Sequence, residues 1–362
     1  MTVDISVIII ARNEEHHIRD CLDSCFQALR EGRGECASQS SEVILVDSAS
    51  TDRTIEIAKG YPVTIVQLPE DWPLSAGAGR QVGVRHARGE LLFFVDGDTI
   101  ISESWLPAAV RRLHADPSVA AISGTVLNES GGDSLLERRM RAESIRSGGA
   151  PEAVSTGLFR REAYEAVGGM HPFLKGGEDR ELAHRLRNAG FRLVMLDMVM
   201  GQHRMADARE LSYTTYFRSV FVWSFGDGQA FRIGRRIPSI ARETRLRYLN
   251  IEQVVNDWLG LNLLLLLLVN LFVTVKPPAW PLLLVDIGVA AILALLRTAR
   301  KLSWRELLFL FHVVPYSIVR QSGFVLGFVK RPRDPKTYPT GEKVLRYAPP
   351  DSGGQTPEVV ER

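Results

Sequence analysis

The chain has 362 residues, which is long enough for a complete α/β core and an appended module. Its 44 Lys and Arg side chains nearly balance its 42 Asp and Glu side chains, and the formal net charge of +2 argues against an acidic tail protein or a nucleic-acid partner. Its three cysteines, Cys21, Cys25 and Cys36, form no CxxC pair and indicate free thiols in a reducing compartment.

Strand and helix patterns alternate from residue 4 to about residue 125. The predicted strands are short, apolar and rich in β-branched or aromatic residues: Ile5–Ile10, Val43–Val46, Val63–Val66, Leu91–Val95 and Val119–Ile122. Helical patterns lie between them, at Glu14–Leu29, Arg53–Lys59, Ala76–Ala87 and Glu103–Ala115. Such βαβ units predict an α/β fold with a mostly parallel sheet flanked by helices. The strand pattern begins at the N-terminus, so we expect no secretory signal there.

The following stretch, to about residue 200, mixes elements. A polar helix is predicted at Ser134–Ser147, a short strand near Val154–Phe159, a glycine-rich loop at Gly168–Gly177, a helix at Glu178–Ala189 and a strand at Phe191–Leu196. Ligands of open α/β sheets bind beyond the carboxyl ends of the strands. We therefore expect functional residues directly after the strands.

The second half of the chain predicts a helical membrane-associated region. Two apolar stretches, about 257–275 and 280–296, approach the length that crosses a hydrocarbon core, and Pro277-Pro278 between them predicts a hairpin. A buried core helix pair is the alternative. A third apolar stretch, 306–329, has basic residues on both sides and predicts an interfacial or re-entrant segment, with a true span as the alternative.

The predicted organisation has four parts. They are a catalytic domain at 1–205, amphipathic or interfacial helices at 206–250, the apolar region at 251–330 and a disordered polar tail at 331–362. The basic residues around the apolar stretches favour the cytoplasmic face of the cytoplasmic (inner) membrane, with the catalytic domain in the cytoplasm.

Acidic side chains follow three neighbouring predicted strands. Asp96-Gly97-Asp98 ends one strand, Asp47 ends another, and Ala11-Arg12-Asn13-Glu14-Glu15 follows the first. A turn or a helix cap explains a single Asp-x-Asp. Three acidic strand ends at one sheet edge instead predict a site for Mg²⁺ or Mn²⁺, whose charge would neutralise a substrate diphosphate.

Four segments together resemble family 2 of the inverting glycosyltransferases, which have the GT-A fold. The matching segments are Ser6–Glu15, Val43–Thr54, Gly79–Gly83 leading into Gly89–Asp98, and Gly176–Asp179. Their order and spacing agree over roughly residues 4 to 200. Ala11 replaces a common proline, and Ser48 replaces the usual residue after Asp47.

The resemblance implies roles for individual residues. Donor binding falls to Ala11, Asn13, Glu15, Asp47, Arg80 and Asp96, metal binding to Asp96 and Asp98, and the acceptor general base to Asp179 with Glu178 beside it. His203 is a candidate third metal ligand and Arg204 a candidate for phosphate binding, although an ordinary surface histidine is the alternative. The implied donor is a nucleoside diphosphate sugar, with a UDP-sugar favoured because Asp47 suits uracil.

The sequence leaves several functions open. The leading hypothesis is transfer of one sugar to a hydroxyl of a lipid, a lipid-linked glycan or a similar acceptor, as in cell envelope polysaccharide biosynthesis. A polyprenyl-phosphate sugar synthase is a rival, but its anionic acceptor needs no base. A processive polysaccharide synthase is another rival. Gln229 and Arg232 match two positions of the Gln-x-x-Arg-Trp motif of such synthases, but Ile233 occupies the tryptophan position. A nucleotidyltransferase and an inactive scaffold fit less well, and the spacing of Gly77, Gly79 and Gly83 excludes a dinucleotide fingerprint.

Overall fold

The structure is a computed structural model that describes most of the first half of the chain and part of the second. The described residues are 4–33, 40–129, 153–204, 213–234, 237, 240, 319–346 and 358–361. They divide into two compact units, one formed by 1–212 with 331–362 and the other by 213–330. The predicted helix at Ser134–Ser147 and the two predicted apolar spans at 257–275 and 280–296 lie outside the described residues.

The strands of the first unit form one ten-stranded sheet within the described residues. The strands are β1 (Ile5–Ala11), β2 (Ser41–Asp47), β3 (Thr64–Gln67), β4 (Leu91–Asp96), β5 (Thr99–Ile101), β6 (Val119–Glu129), β7 (Gly157–Arg160), β8 (Arg192–Arg204), β9 (Lys343–Arg346) and β10 (Glu358–Glu361). Their order is β10-β9-β3-β2-β1-β4-β7-β6-β8-β5. The adjacent strands β3, β2, β1 and β4 are mutually parallel, whereas β7, β9 and β5 each pair antiparallel with their neighbours. The α/β class is confirmed, with a mixed sheet.

Helices cover both faces of this sheet. They are α1 (Ile18–Arg33), α2 (Thr54–Ala58), α3 (Ala76–His86), α4 (Trp105–His114), α5 (Arg161–Ala166) and α6 (Glu178–Asn188). One apolar layer packs α1 and α4 against the sheet, and the other packs α3, α5 and α6 against the opposite face. Burial on both faces explains why β1 and β4 are almost continuously apolar rather than alternating.

Glycines let α3 lie close to β1. A Cβ on Gly83 would come within 2.3 Å of Ile8 Cγ2, and a Cβ on Gly79 within 3.0 Å of Ile10 Cγ2. Side chains at these positions would push the helix away from the strand. The glycine spacing that superficially suggests a dinucleotide site therefore serves helix packing, and it places Arg80 of the same helix against the sheet.

The predicted disordered tail at 331–362 is wrong for much of its length. Residues 343–346 form β9, which pairs antiparallel with β3 from Thr64↔Arg346 to Gln67↔Lys343. Val344 and Leu345 of β9 are buried, one in each apolar layer. The physical reason is that β3 would otherwise be a sheet edge, and the pairing with this short segment satisfies the backbone groups of that edge.

Strand β8 is longer than predicted. The sequence pattern indicates a strand at Phe191–Leu196, but the strand continues to Arg204 and pairs with both β6 and β5. The antiparallel register places His203 opposite Thr99, directly beyond Asp98. This extension brings a distant part of the chain to the carboxyl end of β4.

The second unit contains two described helices, α7 (Tyr213–Gly234) and α8 (residues 319–329). Arg232 Nη1 donates to the carbonyl oxygens of Phe328 and Val329, 2.7 and 3.0 Å away, and Gln229 Nε2 donates to that of Lys330. The two residues that match the processive motif thus cap the C-terminus of α8. Within the described residues, no helix has the length and apolar character of a membrane span.

Candidate active site

A cavity of about 360 Å³ opens at the carboxyl ends of the central parallel strands. The residues that line it come from strand ends, from the loop before α3 and from the first turn of α6. They are Ile10, Ala11, Arg12, Glu14, Ser48, Leu74, Ser75, Ala76, Arg80, Asp96, Gly97, Asp98, Ser155, Glu178 and His203. Six sequence-predicted site residues are therefore brought together: Ala11, Arg80, Asp96, Asp98, Glu178 and His203.

Asp98 and His203 form one side of the cavity. His203 Nε2 lies 2.9 Å from Asp98 Oδ2, and the backbone N–H of Arg204 donates to the Asp98 carbonyl at 2.8 Å. The hydrogen bond to Asp98 raises the pKa of His203 above its ordinary value. Asp98 Oδ1 is buried and accepts no hydrogen bond from any described residue. This oxygen is therefore available to a ligand in the cavity.

A buried arginine links the two sides of the cavity. Arg80 Nη2 donates to Asp96 Oδ1 at 2.6 Å, and its Nη1 donates to Glu178 Oε1 at 3.1 Å. Arg80 is only 2% exposed, and although burial disfavours its charge, the two carboxylates raise its pKa. Thr156 Oγ1 donates to the second oxygen of Asp96. Each oxygen of Asp96 thus accepts a hydrogen bond from the protein.

Glu178 and Asp179 begin α6. Gly177 precedes them with φ 71°, a left-handed conformation that favours glycine, and no side chain caps the helix. The partial positive charge of a helix N-terminus favours acidic residues in this first turn. Burial, reinforced by the charge on Asp179, nevertheless raises the pKa of Glu178 to about 7. Glu178 lines the cavity, whereas Asp179 lies beside it, half-buried, and accepts the Arg180 N–H.

Five predicted site residues do not line the cavity: Asn13, Glu15, Asp47, Arg204 and Asp179. Asn13 Oδ1 accepts the N–H of Thr51, and Glu15 Oε2 accepts that of Arg53, so both tie the loop after β1 to the loop after β2. Arg204 Nη1 lies 2.8 Å from Asp20 Oδ2 on α1.

Asp47 is buried directly behind the cavity. Only 1% of it is exposed, and Ser48, the next residue, lines the cavity. Its Oδ2 accepts the N–H of Ser50, while its Oδ1 accepts no hydrogen bond from any described residue. Burial raises the pKa of Asp47.

Glu14 is the principal cavity residue that the sequence reasoning missed. Asn13 adopts a left-handed backbone conformation, φ 59°, and after this turn Glu14 rather than Glu15 lines the cavity. Burial and the nearby charge of Asp98 raise the pKa of Glu14 to about 7. The available signal was its place in the acidic run after β1. Arg12, Ser75 and Ser155 were also missed.

The carboxylate oxygens in the cavity are ligands that suit a hard divalent cation. No group of three or more His, Cys, Asp or Glu side chains forms a preassembled metal site among the described residues, and Asp96, one of the three predicted ligands, pairs with Arg80. Asp98 and His203 form a pair of potential ligands for such a cation. The Oδ1 atom of Asp98 accepts no hydrogen bond from any described residue. Mg²⁺ commonly binds through one or two carboxylates and completes its shell with water and substrate phosphates.

Comparisons with known proteins agree with this geometry. Residues 6–168 match the model of Glycosyl transferase family 2. Glycosyltransferase AglE of Haloferax volcanii is 29% identical over 210 residues, 55% of this chain and 66% of the relative. A dolichyl-phosphate beta-glucosyltransferase of Drosophila melanogaster is 32% identical over 104 residues, 27% of this chain and 31% of the relative. The chain thus spans just under two thirds of the first relative and about a third of the second.

A solved structure shares the fold. The mannosyltransferase PcManGT from Pyrobaculum calidifontis, solved with GDP-Man and Mn²⁺, is 22% identical, covers 90% of this chain and 88% of its own, and gives a TM-score of 0.57. Its likeness extends well beyond the segment matched by the family model. Residues 6–168 are thus similar to glycosyltransferase family 2, and the chain shares the fold of the solved mannosyltransferase.

Proposed function

We propose that the chain transfers a sugar from a nucleoside diphosphate sugar to a hydroxyl of a lipid, a lipid-linked glycan or a similar acceptor, with inversion at the anomeric carbon. The observation that carries the proposal is the cavity in which four carboxylates, Glu14, Asp96, Asp98 and Glu178, meet at the strand ends of a domain similar to glycosyltransferase family 2. Such a surplus of acidic groups suits a site that is completed by a cation and a phosphate-bearing donor.

We assign the donor to the side of the cavity formed by β1, β4 and β8. Asp98 and His203 would hold Mg²⁺ or Mn²⁺, which stabilises the negative charge that develops on the leaving diphosphate. We propose a UDP-sugar as the donor, with Asp47 near the base as the family resemblance implies; Asp47 itself lies behind Ser48 and does not line the cavity. The solved mannosyltransferase that shares the fold is in complex with GDP-Man and Mn²⁺, which supports a nucleoside diphosphate sugar and a divalent metal.

We assign the acceptor to the first turn of α6, with Asp179 as the general base. Glu178 is almost fully buried and bonded to Arg80, so it is held in place rather than free to approach an acceptor. Asp179 is more exposed, and we assign to it the removal of the proton from the incoming hydroxyl. A positioned carboxylate that removes this proton in the transition state accelerates attack by about 100-fold to 10,000-fold.

A polyprenyl phosphate acceptor is the second candidate, favoured by the likeness to a dolichyl-phosphate beta-glucosyltransferase. The charges on the acceptor side argue against it. Glu178 and Asp179 would repel an anionic phosphate, and Arg80 is already shared between Asp96 and Glu178. A neutral hydroxyl meets no such repulsion.

We further propose that the chain acts at the cytoplasmic face of the inner membrane. The support is in the sequence: apolar stretches at 257–275 and 280–296 are flanked by basic residues, as in membrane proteins whose basic loops face the cytoplasm. An acceptor carried by a lipid would then be present at the same surface.

The test is a transfer assay on the full chain with UDP-, GDP- and dTDP-sugars, in the presence of Mn²⁺ or of a chelator. The acceptor arms are membrane lipid extract, purified polyprenyl phosphate and lipid-linked glycan. We expect Mn²⁺-dependent transfer from a UDP-sugar to a hydroxyl, with inverted anomeric configuration in the product. Equal transfer with the chelator would contradict the metal assignment, and transfer to polyprenyl phosphate alone would favour the second candidate.

A further inference from the structure

The segment at 331–346, which follows the apolar region of the chain, lies against the catalytic domain. It enters through a short 3-10 turn at Pro335–Thr337 and continues into β9, the neighbour of β3. The match to the family model ends at residue 168, so this segment lies outside it. Besides pairing with β3, the segment contacts two loops: one contributes Leu74 and Ser75 to the cavity, and the other leads into Glu178.

Tyr338 is the centre of these contacts. It is 3% exposed, and its ring meets Trp72 edge-on at 5.7 Å and Phe173 at 5.3 Å, both measured between ring centroids. Trp72 belongs to the loop before α3, and Phe173 belongs to the loop before α6. One aromatic side chain from the far end of the chain therefore packs between the two loops.

Those two loops are also joined directly. Ser75 Oγ donates to the carbonyl of Pro172 at 2.8 Å, and Lys175 Nζ donates to that of Leu74 at 3.1 Å. Leu74 and Ser75 line the cavity, and the second loop leads through Gly177 into Glu178. A movement of either loop would therefore displace a cavity wall, and the two loops would move together.

Further contacts hold the segment on both sides of Tyr338. The Arg333 guanidinium lies over the Phe173 ring at 5.9 Å. Arg85 Nη1 donates to the Pro339 carbonyl at 2.8 Å, and its guanidinium lies 5.7 Å from the centre of the Tyr338 ring. His86 Nε2 lies 2.8 Å from Glu342 Oε1. Both Arg85 and His86 belong to α3, the helix that carries Arg80.

We propose that Tyr338 is a positioning residue for the active site: packed between Trp72 and Phe173, it holds the loops 69–76 and 171–178 in the geometry that places Ser75 and Glu178 at the cavity. The segment that carries it is thus part of the catalytic domain. The kinetic consequence rests on the proposed transferase function, but the consequence for loop mobility does not.

Substitutions can distinguish the contribution of the Tyr338 hydroxyl from that of its ring. Tyr338 Oη is buried and has no hydrogen-bond partner among the described residues, so Tyr338→Phe removes no interaction. Tyr338→Ala removes both aromatic contacts, and Tyr338→Leu keeps part of the volume for the case in which the alanine variant folds poorly. Tyr61→Ala is the matched control, because it removes a ring that stacks on Phe26 at 6.1 Å, in the opposite apolar layer.

The first measurement is amide hydrogen exchange of the full chain, followed by mass spectrometry. We expect Tyr338→Ala to accelerate exchange in peptides 69–76 and 171–178 while the β1 and β4 peptides stay protected, with a smaller effect in Tyr338→Leu and none in Tyr338→Phe. Tyr61→Ala should leave these two loops unchanged. Unchanged loop exchange in both Tyr338→Ala and Tyr338→Leu, or the same acceleration in Tyr61→Ala, would overturn the proposal.

The second measurement is transfer kinetics below the melting temperature of every variant. A displacement of catalytic groups by about 1 Å costs about 100-fold in rate, so we expect kcat/KM to fall by about this factor in Tyr338→Ala and to return to the wild-type value in Tyr338→Phe. A fall of the same size in Tyr61→Ala would show a merely global effect. A wild-type chain inactive with every donor would reject the transferase function, and hydrogen exchange alone would then decide the role of Tyr338.

Discussion

The two sides of the cavity are built in different ways. The donor side, with Asp96 and Asp98 at its centre, is formed where buried parallel strands end, so a few adjacent residues fix its position. The acceptor side, with Glu178 and Asp179, stands at the end of a loop whose place depends on Arg80, on Ser75 and on Tyr338 from the end of the chain. Backbone pairing between strands thus secures the donor side, whereas side-chain contacts between loops secure the acceptor side.

The largest effect that this comparison predicts follows from Asp98→Asn. The substitution keeps the size of the side chain but removes the charge that would bind the metal, and metal stabilisation of a leaving group is worth several kcal/mol, or about 1,000-fold in rate. We expect metal-dependent transfer to fall by about this factor. Asp23→Asn, an exposed position on α1, is the control and should retain wild-type turnover. Full metal-dependent turnover in Asp98→Asn would refute the donor-side assignment.

Two substitutions at the start of α6 distinguish the roles of Asp179 and Glu178. We expect Asp179→Asn to reduce kcat by about 100-fold or more, because it removes the general base, with little change in the KM of the donor. Glu178→Gln weakens the interaction with Arg80 without removing the general base, so we expect a smaller decrease in kcat. The reverse order would assign proton removal to Glu178. Intact turnover in Asp179→Asn with polyprenyl phosphate as acceptor would instead support the second candidate function.

A smaller effect concerns the stability of the donor side. Burial and the charge on Asp98 raise the pKa of Glu14 from 4.5 to about 7. Between these values the folded state binds more protons than the unfolded state, so the free energy of unfolding falls as the pH rises through this window. Glu14→Gln cannot ionise, and we expect it to raise the melting temperature, relative to wild type, more at pH 8 than at pH 5.

The measurement of the Glu14 effect is a thermal melt in the presence of a chelator. Glu15→Gln is the matched control, because Glu15 is the neighbouring residue of the same loop and does not line the cavity. A pH-independent difference between Glu14→Gln and wild type would show that Glu14 does not titrate in this window.

Local sequence patterns predict Asp96 and Asp98 at the cavity, but they do not distinguish them from Asn13, Glu15, Asp47 and Arg204, which do not line it. A buried strand followed by Asp96-Gly97-Asp98 is a local pattern, and the carboxyl ends of parallel strands must meet at one edge. The choice between Glu14 and Glu15 depended on the left-handed turn at Asn13, which the sequence does not specify for a residue other than glycine.

Long-range pairing explains the other misses. The four residues of β9 are too short a pattern to be recognised as a strand, and their partners β3 and β10 are not adjacent in the sequence. Tyr338 carries no signal in its own neighbourhood, since its partners Trp72 and Phe173 lie in distant loops. The metal ligands Asp96, Asp98 and His203 stay a prediction, and the ion pair between the buried Arg80 and Asp96 is a contact that no local pattern indicates.

The most direct test of the assignment of a donor side and an acceptor side is titration calorimetry of UDP binding. It compares the wild type, Asp98→Asn and Asp179→Asn, each with Mn²⁺ and with a chelator. A substitution that removes only a metal ligand of the donor side abolishes the increase in UDP affinity that Mn²⁺ causes. A substitution that affects only the acceptor side leaves this increase unchanged. We therefore predict that Asp98→Asn binds UDP equally weakly with and without Mn²⁺, and that Asp179→Asn binds as tightly as the wild type while it fails to turn over. Wild-type, Mn²⁺-dependent affinity in Asp98→Asn would contradict the account.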